Sequence, residues 1–353
     1  MLHRLVVSFF LFIAILYSFP ALAGSPTEDT GEEKKFQPGD MIMHHILDAH
    51  DWHILDWKGH AVSVPLPIIL FHEGAGLKVF MSSKFNHGHS AYMGYKLDHG
   101  NIVAINDDGS KNELETKKIW DFSITKNVFS LFLSILILLI VFIGISNKYK
   151  KHKNQAPSGA QSLLEPIVIF VRDDIAKSAI GEKDYQKYLP FLLTVFFFIF
   201  LNNLLGLVPF FPGGANLTGN IAVPMVMAAM VFIITTLSGR KYYWQHIFAM
   251  PGVPKPVLLI LTPIEIFGVF LKPLVLMIRL FANITAGHII ILSFFSMIFI
   301  FGEMHPLAGY GVSVFSGLFV LFMMVLELLV AFLQAYVFTL LAAMYFGMAV
   351  EEH

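Results

Sequence analysis

The chain has 353 residues, 56% of them hydrophobic and only 14% charged, with 35 Phe and a formal net charge of −1. That balance excludes an ordinary soluble domain, gives no electrostatic case for nucleic acid, and describes a protein that crosses a membrane several times. With no cysteine at all, disulfides, thiolate metal sites and a cysteine nucleophile are excluded together.

In chain order, "MLHRLVVSFFLFIAILYSFPALAG" opens with His3 and Arg4, continues through a short apolar core to Pro20, and ends in Ala21-Leu22-Ala23 before Gly24. This is the build of a cleavable secretory signal peptide over residues 1–23; an uncleaved first helix is the alternative, although the apolar core is short for a span. Residues 24–125 are then expected outside the cytoplasm. They begin with the acidic linker "SPTEDTGEEKK" and continue into a small β-rich domain: "HAVSVPLPIILF" and "LKVFMSS" flank the turn signal "EGAG", and "NIVAINDDGS" reads as a further strand and turn. Nine of the fifteen His fall here, including His44, His45, His50 and His53 in "HHILDAHDWH". Their spacing matches no zinc pattern, so solvated histidines near a membrane surface are the preferred reading.

From residue 126 onward the chain reads as a membrane channel domain, with spans near 127–146, 189–210, 219–237, 257–300 and 309–349. The last two far exceed the roughly 20 residues that a perpendicular helix needs, so two long C-terminal helices must tilt, kink or leave the lipid. Lys148, Lys150, Lys151 and Lys153 in one loop, and Arg240 and Lys241 in another, mark cytoplasmic loops, whereas "PFFPGGANLTGN" and "FGEMHPLAGY" carry no Lys or Arg. Five spans after an exported N-terminus place the C-terminus in the cytoplasm. Pro251, Pro254 and Pro256 forbid a straight helix through 244–257 and suggest a bend or shallow re-entrant turn. Asn216-Leu217-Thr218 fits a glycosylation sequon, but hydrogen bonding within the loop is preferred.

Arg279 lies deep in the apolar run "LKPLVLMIRLFANITAGHII", where a charge costs about 2.5–3.5 kcal/mol even on lenient insertion scales. Glu265, Lys272 and Arg279 recur every seven residues and so stay within roughly 40° of one helix face; Asn283 joins that stripe and Gly287 admits a close neighbour. His288 lies half a rotation from Arg279. The final span carries its own stripe, Glu327 and Gln334, with Tyr345 beyond. Two antiparallel helices with facing polar stripes describe an ion path, and a histidine with a carboxylate suits a proton.

"KPLVLMIRLFANITAGH", "FLNNLLGLVPF" and "LQAYVFTLLAAMYFGMAVEEH" resemble subunit a, the stator channel subunit of F-type ATP synthases, over about residues 120 to 353. The resemblance implies an all-α polytopic membrane protein of the bacterial inner membrane, non-catalytic and without cofactor or metal, whose partners are the c-subunit ring, the b subunits of the peripheral stalk, the rest of the complex and lipid. It assigns Arg279 the essential role facing the c-ring between two offset half-channels, with Asn283 and Gln334 beside it. It makes His288 and Glu327 the extracytoplasmic half-channel pair, in exchanged order relative to many bacterial members, and Glu265 a further channel position. The N-terminal extension of about 100 residues departs from the family. A secondary transporter using Arg279 to bind an anion is the alternative, but the repeated halves it calls for are not visible.

Overall fold

The computed structural model describes residues 38–57, 60–98, 100–151, 156–208 and 211–351; the expected signal peptide and acidic linker lie outside them. Two compact units are present. The smaller contains, among described residues, 53–57 and 60–63, where β1 (Asp51–Trp57) and β2 (His60–Pro65) form a two-stranded sheet.

The larger unit holds residues 38–52 and everything from Val64. It begins with a short helix α1 (Pro38–Ile46), which the sequence reading missed and which packs on a later long helix. The expected hairpin is present as β3 (Pro67–His72) and β4 (Gly76–Met81), closed where Ala75 N–H donates to the His72 carbonyl. Gly74 and Gly76 take positive φ there, as a tight turn requires. After a 3₁₀ turn, β5 (Tyr95–Asp98) pairs with β6 (Asn101–Ala104), and Asn106 N–H closes the following turn on the Ser110 carbonyl. Asn112 caps the single-turn helix α2 (Glu113–Thr116), and β7 (Ile119–Asp121) adds to β3 to make the order β4-β3-β7. Ile68, Leu70, Phe85, Tyr95 and Ile102 form the core beneath this sheet.

The nine histidines of residues 24–125 were read from the sequence as solvated. Three are instead structural: His50 donates to Asp121 at 3.0 Å, His87 pairs with Asp51 at 2.8 Å, and His72 links Tyr95 (2.7 Å) to Glu115 (3.0 Å). The side chains of His44, His45 and His53 lie outside the described residues.

The helical part follows hydropathy closely. Helices α3 (Lys126–Lys151), α5 (Tyr185–Leu207), α8 (Lys255–Met304) and α9 (Pro306–Val350) are each long and apolar enough to cross a membrane. α6 (Ala222–Ser238) and α7 (Lys241–Phe248) make a fifth candidate only as a pair bent by 104°. The bend sits at Gly239, before the proline cluster: a Cβ there would crowd the Tyr243 and Trp244 rings. The break expected through 244–257 is present as well: α7 ends at Phe248, a turn follows at Pro251-Gly252, and Pro254 and Pro256 start α8, where a missing N–H costs nothing. Between α3 and α5 the chain forms a helix the sequence reading passed over, α4 (Ala160–Phe170), which runs on through a π-helical stretch to Ile180.

In lipid, burial of apolar surface does not drive helices together, so close packing of small residues must contribute. The α9 positions Ala335, Ala342 and Ala343 supply it; they share one continuous core with Leu192, Phe196 and Ile199 of α5 and Leu276 and Leu280 of α8. A Cβ on Gly347 would strike the Ala179 carbonyl, so only glycine fits there.

Candidate functional site

α8 and α9 form an antiparallel hairpin, turned at His305, whose ring accepts from Leu307 N–H. Facing contacts occur in reverse chain order. Gly309 lies on Gly302, Glu327 on Gly287, Gln334 on Asn283 and Tyr345 on Lys272. The polar residues therefore sit in three layers along one seam.

In the middle layer Asn283 Nδ2 donates to Gln334 Oε1 at 2.8 Å, and Gln334 is only 3% exposed. Arg279 is one turn before Asn283, halfway along α8. Leu276 and Leu280 mark the packed face of the helix; Arg279 stands at its margin, exposed, with no hydrogen bond or ion pair among the described residues.

In the layer toward the hairpin turn, the Glu327 carboxylate rests on Gly287: a Cβ at that position would collide with Glu327 Oε1, so the close approach expected of this glycine is made by the acid. Glu327 Oε2 and Gln334 Nε2 are buried without a hydrogen-bond partner among the described residues, each at a cost of about 1–3 kcal/mol. His288 points to a different element. Its Nε2 lies 3.7 Å from where a Cβ on Gly206 of α5 would be. The same end of α5 presents Asn203, whose Nδ2 donates to the Ala331 carbonyl, one turn from Glu327, at 3.4 Å, and whose Oδ1 accepts from Thr218 Oγ1 at 2.9 Å. Sequence reasoning did not assign Asn203 or Thr218 to the site; the doubled asparagine in "FLNNLLG" was the available signal. Asn216 is buried and accepts from Gly219 N–H at 3.0 Å, as the preferred reading of the sequon expects.

In the third layer Lys272 Nζ stands 5.7 Å above the Tyr345 ring, beside a cavity of about 20 Å³ that Thr235 and Tyr243 also line. Glu265 is half-buried two heptads before Arg279, about 21 Å along the axis, and is not brought to the other site residues. At this end of the bundle Arg240 donates to the Val350 carbonyl at 2.6 Å and to both Asp184 oxygens at 3.1 Å, while its N–H donates to the Ala349 carbonyl. Among the described residues no three His, Asp or Glu side chains are grouped as a metal site would need.

Residues 128–347 match the family described as the ATP synthase A chain, and residues 41–122 match a domain of unknown function. An ATP synthase subunit a from Chloroherpeton thalassium is 44% identical over 240 residues, covering 66% of this chain and 69% of its own. An ATP synthase subunit a 2 from Chlorobaculum tepidum is 38% identical over 337 residues, 93% of this chain and 78% of its own, and that of Chlorobium luteolum is 43% identical over 336 residues, 94% and 81%. The chain belongs to the ATP synthase A chain family. As a member it is a non-catalytic membrane subunit of the ATP synthase complex, serving ATP synthesis and proton transport.

Membership also separates the two parts of this family member. The seam lies inside the stretch that matches the A chain, and the sheets lie inside the stretch whose match carries no function. The two C. tepidum and C. luteolum relatives align across nearly the whole chain, so the N-terminal extension is shared with them.

Proposed function

We propose that this chain is the proton-channel stator subunit of an F-type ATP synthase, with two offset half-channels separated by Arg279 and facing a ring of c subunits. The observation that carries the reading is an arginine at the middle of a 50-residue apolar helix, exposed and without a hydrogen bond or ion pair among the described residues, beside the Asn283 to Gln334 hydrogen bond. A guanidinium held at that depth without an internal counter-charge calls for one from outside.

The chemistry follows from what each group does with a proton. Moving one charge across 100 mV is worth about 2.3 kcal/mol, so a continuous proton wire would dissipate the gradient without work. A guanidinium stays charged at any accessible pH; it relays no proton and repels one, so Arg279 breaks the wire. Its charge favours the ionised form of a ring carboxylate passing it, which releases its proton to one half-channel and is reprotonated from the other before meeting lipid. Asn283 and Gln334 hold the seam together at that level. Glu327 and His288, with Asn203 and Thr218 beside them, form the extracytoplasmic half-channel; Lys272 and Tyr345 line the opposite half, and Glu265 is a further channel position farther along α8.

The reading further assigns the chain to a bacterial inner membrane, with residues 24–125 outside, the C-terminus in the cytoplasm, and contacts to the c-ring and the b subunits. ATP-driven proton pumping and passive leak in inverted vesicles test it, comparing wild type with Arg279→Ala after assembly is confirmed. Pumping is expected to fall to background, with or without added leak. Normal coupled pumping would make the arginine structural and remove the mechanism.

A further inference from the structure

The sheet β4-β3-β7 has one face that its own domain does not cover. Along β3 the side chains of Ile68, Leu70 and His72 point into the core, the first two with no exposure at all. The alternate positions point the other way, and the register stacks apolar side chains across all three strands: Phe71 lies opposite Leu77 and Trp120, and Pro67 opposite Met81, while Phe122 N–H donates to the Ile69 carbonyl. Leu77 and Val79 are each 63% exposed, Phe122 62% and Trp120 57%, with Phe71 and Met81 also exposed. A strand pattern of this kind normally puts polar residues outward, and a contiguous apolar patch of this size on a folded domain marks an interaction surface.

What covers it follows from where the sheet is tied. Ile124 N–H donates to the Pro67 carbonyl, so the sheet is hydrogen-bonded to the chain two residues before α3, and the first turn of α3 is itself tied down where Lys126 N–H donates to the Ala49 carbonyl and Asn127 N–H to Asp48 Oδ1. Trp52 packs edge-on against Phe129 of α3 and Phe211 of the loop after α5. α3 is a membrane span whose sides, Phe132 and Ile140 among them, are exposed for lipid. Phe122 stands four residues before that span, at most about 14 Å of chain, and β4 lies only about 10 Å from β7 across the sheet. The bilayer surface is thus the partner that the start of α3 places within reach. The composition suits it: the Trp120 ring keeps its Nε1–H on Glu73 at 3.2 Å while its body is bare, and Lys117 and Lys118 immediately precede β7. Aromatic residues beside cationic ones are what the headgroup region favours.

We infer that the outer face of β4-β3-β7 docks on the membrane–water interface, with Leu77, Val79 and Phe122 inserted among lipid headgroups and upper acyl chains, so that the N-terminal domain is a lipid-bound collar at the mouth of α3. This stands on the membrane topology alone and is independent of the channel mechanism.

Because the chain has no cysteine, each engineered thiol is unique within it. Nitroxide labels at Val79→Cys and Phe122→Cys, with Asp108→Cys on the exposed turn as the aqueous reference, are read in the assembled complex in phosphatidylcholine/phosphatidylglycerol liposomes; the complex with the unsubstituted chain serves as the blank. The expected result is collision with oxygen exceeding that with a water-soluble nickel chelate at positions 79 and 122, and the reverse at 108. Preference for nickel at 79 and 122 would mean that water bathes the face. Immobile labels shielded from both reagents would mean that a protein, a neighbouring subunit or a second copy, covers it. Either outcome overturns lipid docking and leaves proton pumping as a separate question.

Discussion

Arg240 and Arg279 are the same residue under opposite treatment. Arg240, at the end where α9 finishes, bonds to Asp184 and to the last carbonyls of α9, tying the starts of α5 and α7 to the C-terminal helix. Arg279, at the centre of α8, makes no such bond among the described residues. An arginine that a chain satisfies internally is architecture. One carried into the membrane span without a partner among the described residues calls for a counter-charge from elsewhere, because an unpaired charge there costs several kcal/mol unless a partner or water supplies it.

The comparison breaks most sharply on substitution. Arg279→Ala is expected to abolish ATP-driven pumping while leaving assembly intact, whereas Arg240→Ala should pump normally; a pumping defect of equal depth in both would erase the distinction. Next in size is Glu327→Leu, where losing a positioned proton-transfer group should slow flux by about 10²–10⁴-fold. Unchanged flux and pH dependence would remove Glu327 from the path. Gly287→Ala sharpens the point by leaving the acid in place and pushing it off the seam, and should lower pumping without altering membrane insertion. For Arg240→Ala the effect belongs in stability: about 1–2 kcal/mol for a charge-assisted pair that is partly open to solvent, read as a melting temperature lowered by a few degrees in detergent.

The smallest effect lies in the sheet domain. Burial pushes the Asp121 carboxyl up, but hydrogen bonds from His50 and Ser123 outweigh it and hold the group below its ordinary value. Hydrogen bonds from Lys118 and His72 do the same for Glu115. A depressed carboxyl stabilises the fold above its unfolded pKa, near 3.9 for Asp, and that contribution is lost as pH falls through the lower folded value. Hydrogen exchange of β3 and β7, corrected for intrinsic rates, should therefore show wild type loosening below about pH 4, and Asp121→Asn loosening less steeply there, with only the Glu115 contribution left, and a loss under about 1 kcal/mol at pH 7.

How much of this was legible beforehand depends on the range of the interaction. α3, α5, α8 and α9, the β3-β4 turn and the depth of Arg279 follow from hydropathy, turn residues and local period, which neighbouring residues set. The helix at 160–180 was missed because its apolar face is short and Pro166 interrupts it. The break through 244–257 was legible in its prolines and is present between Phe248 and Lys255, whereas the further bend at Gly239 was not, because a single glycine gives no comparable local signal. The histidines were read as solvated because their partners, Asp121, Glu115 and Asp51, are distant in sequence or on another strand.

By itself, then, the sequence determined that the chain crosses the membrane with two long C-terminal helices, that one carries a charge at its centre, and that both bear polar residues at helical spacing. Only the tertiary structure decided which of them meet: Asn283 with Gln334, Gly287 with Glu327, Lys272 with Tyr345, and Asn203 with Thr218 beside α9. The reason is physical. Periodicity specifies the face of a helix on which a residue lies, but the choice of neighbour depends on where small residues let two backbones approach, and that is a property of the packed pair.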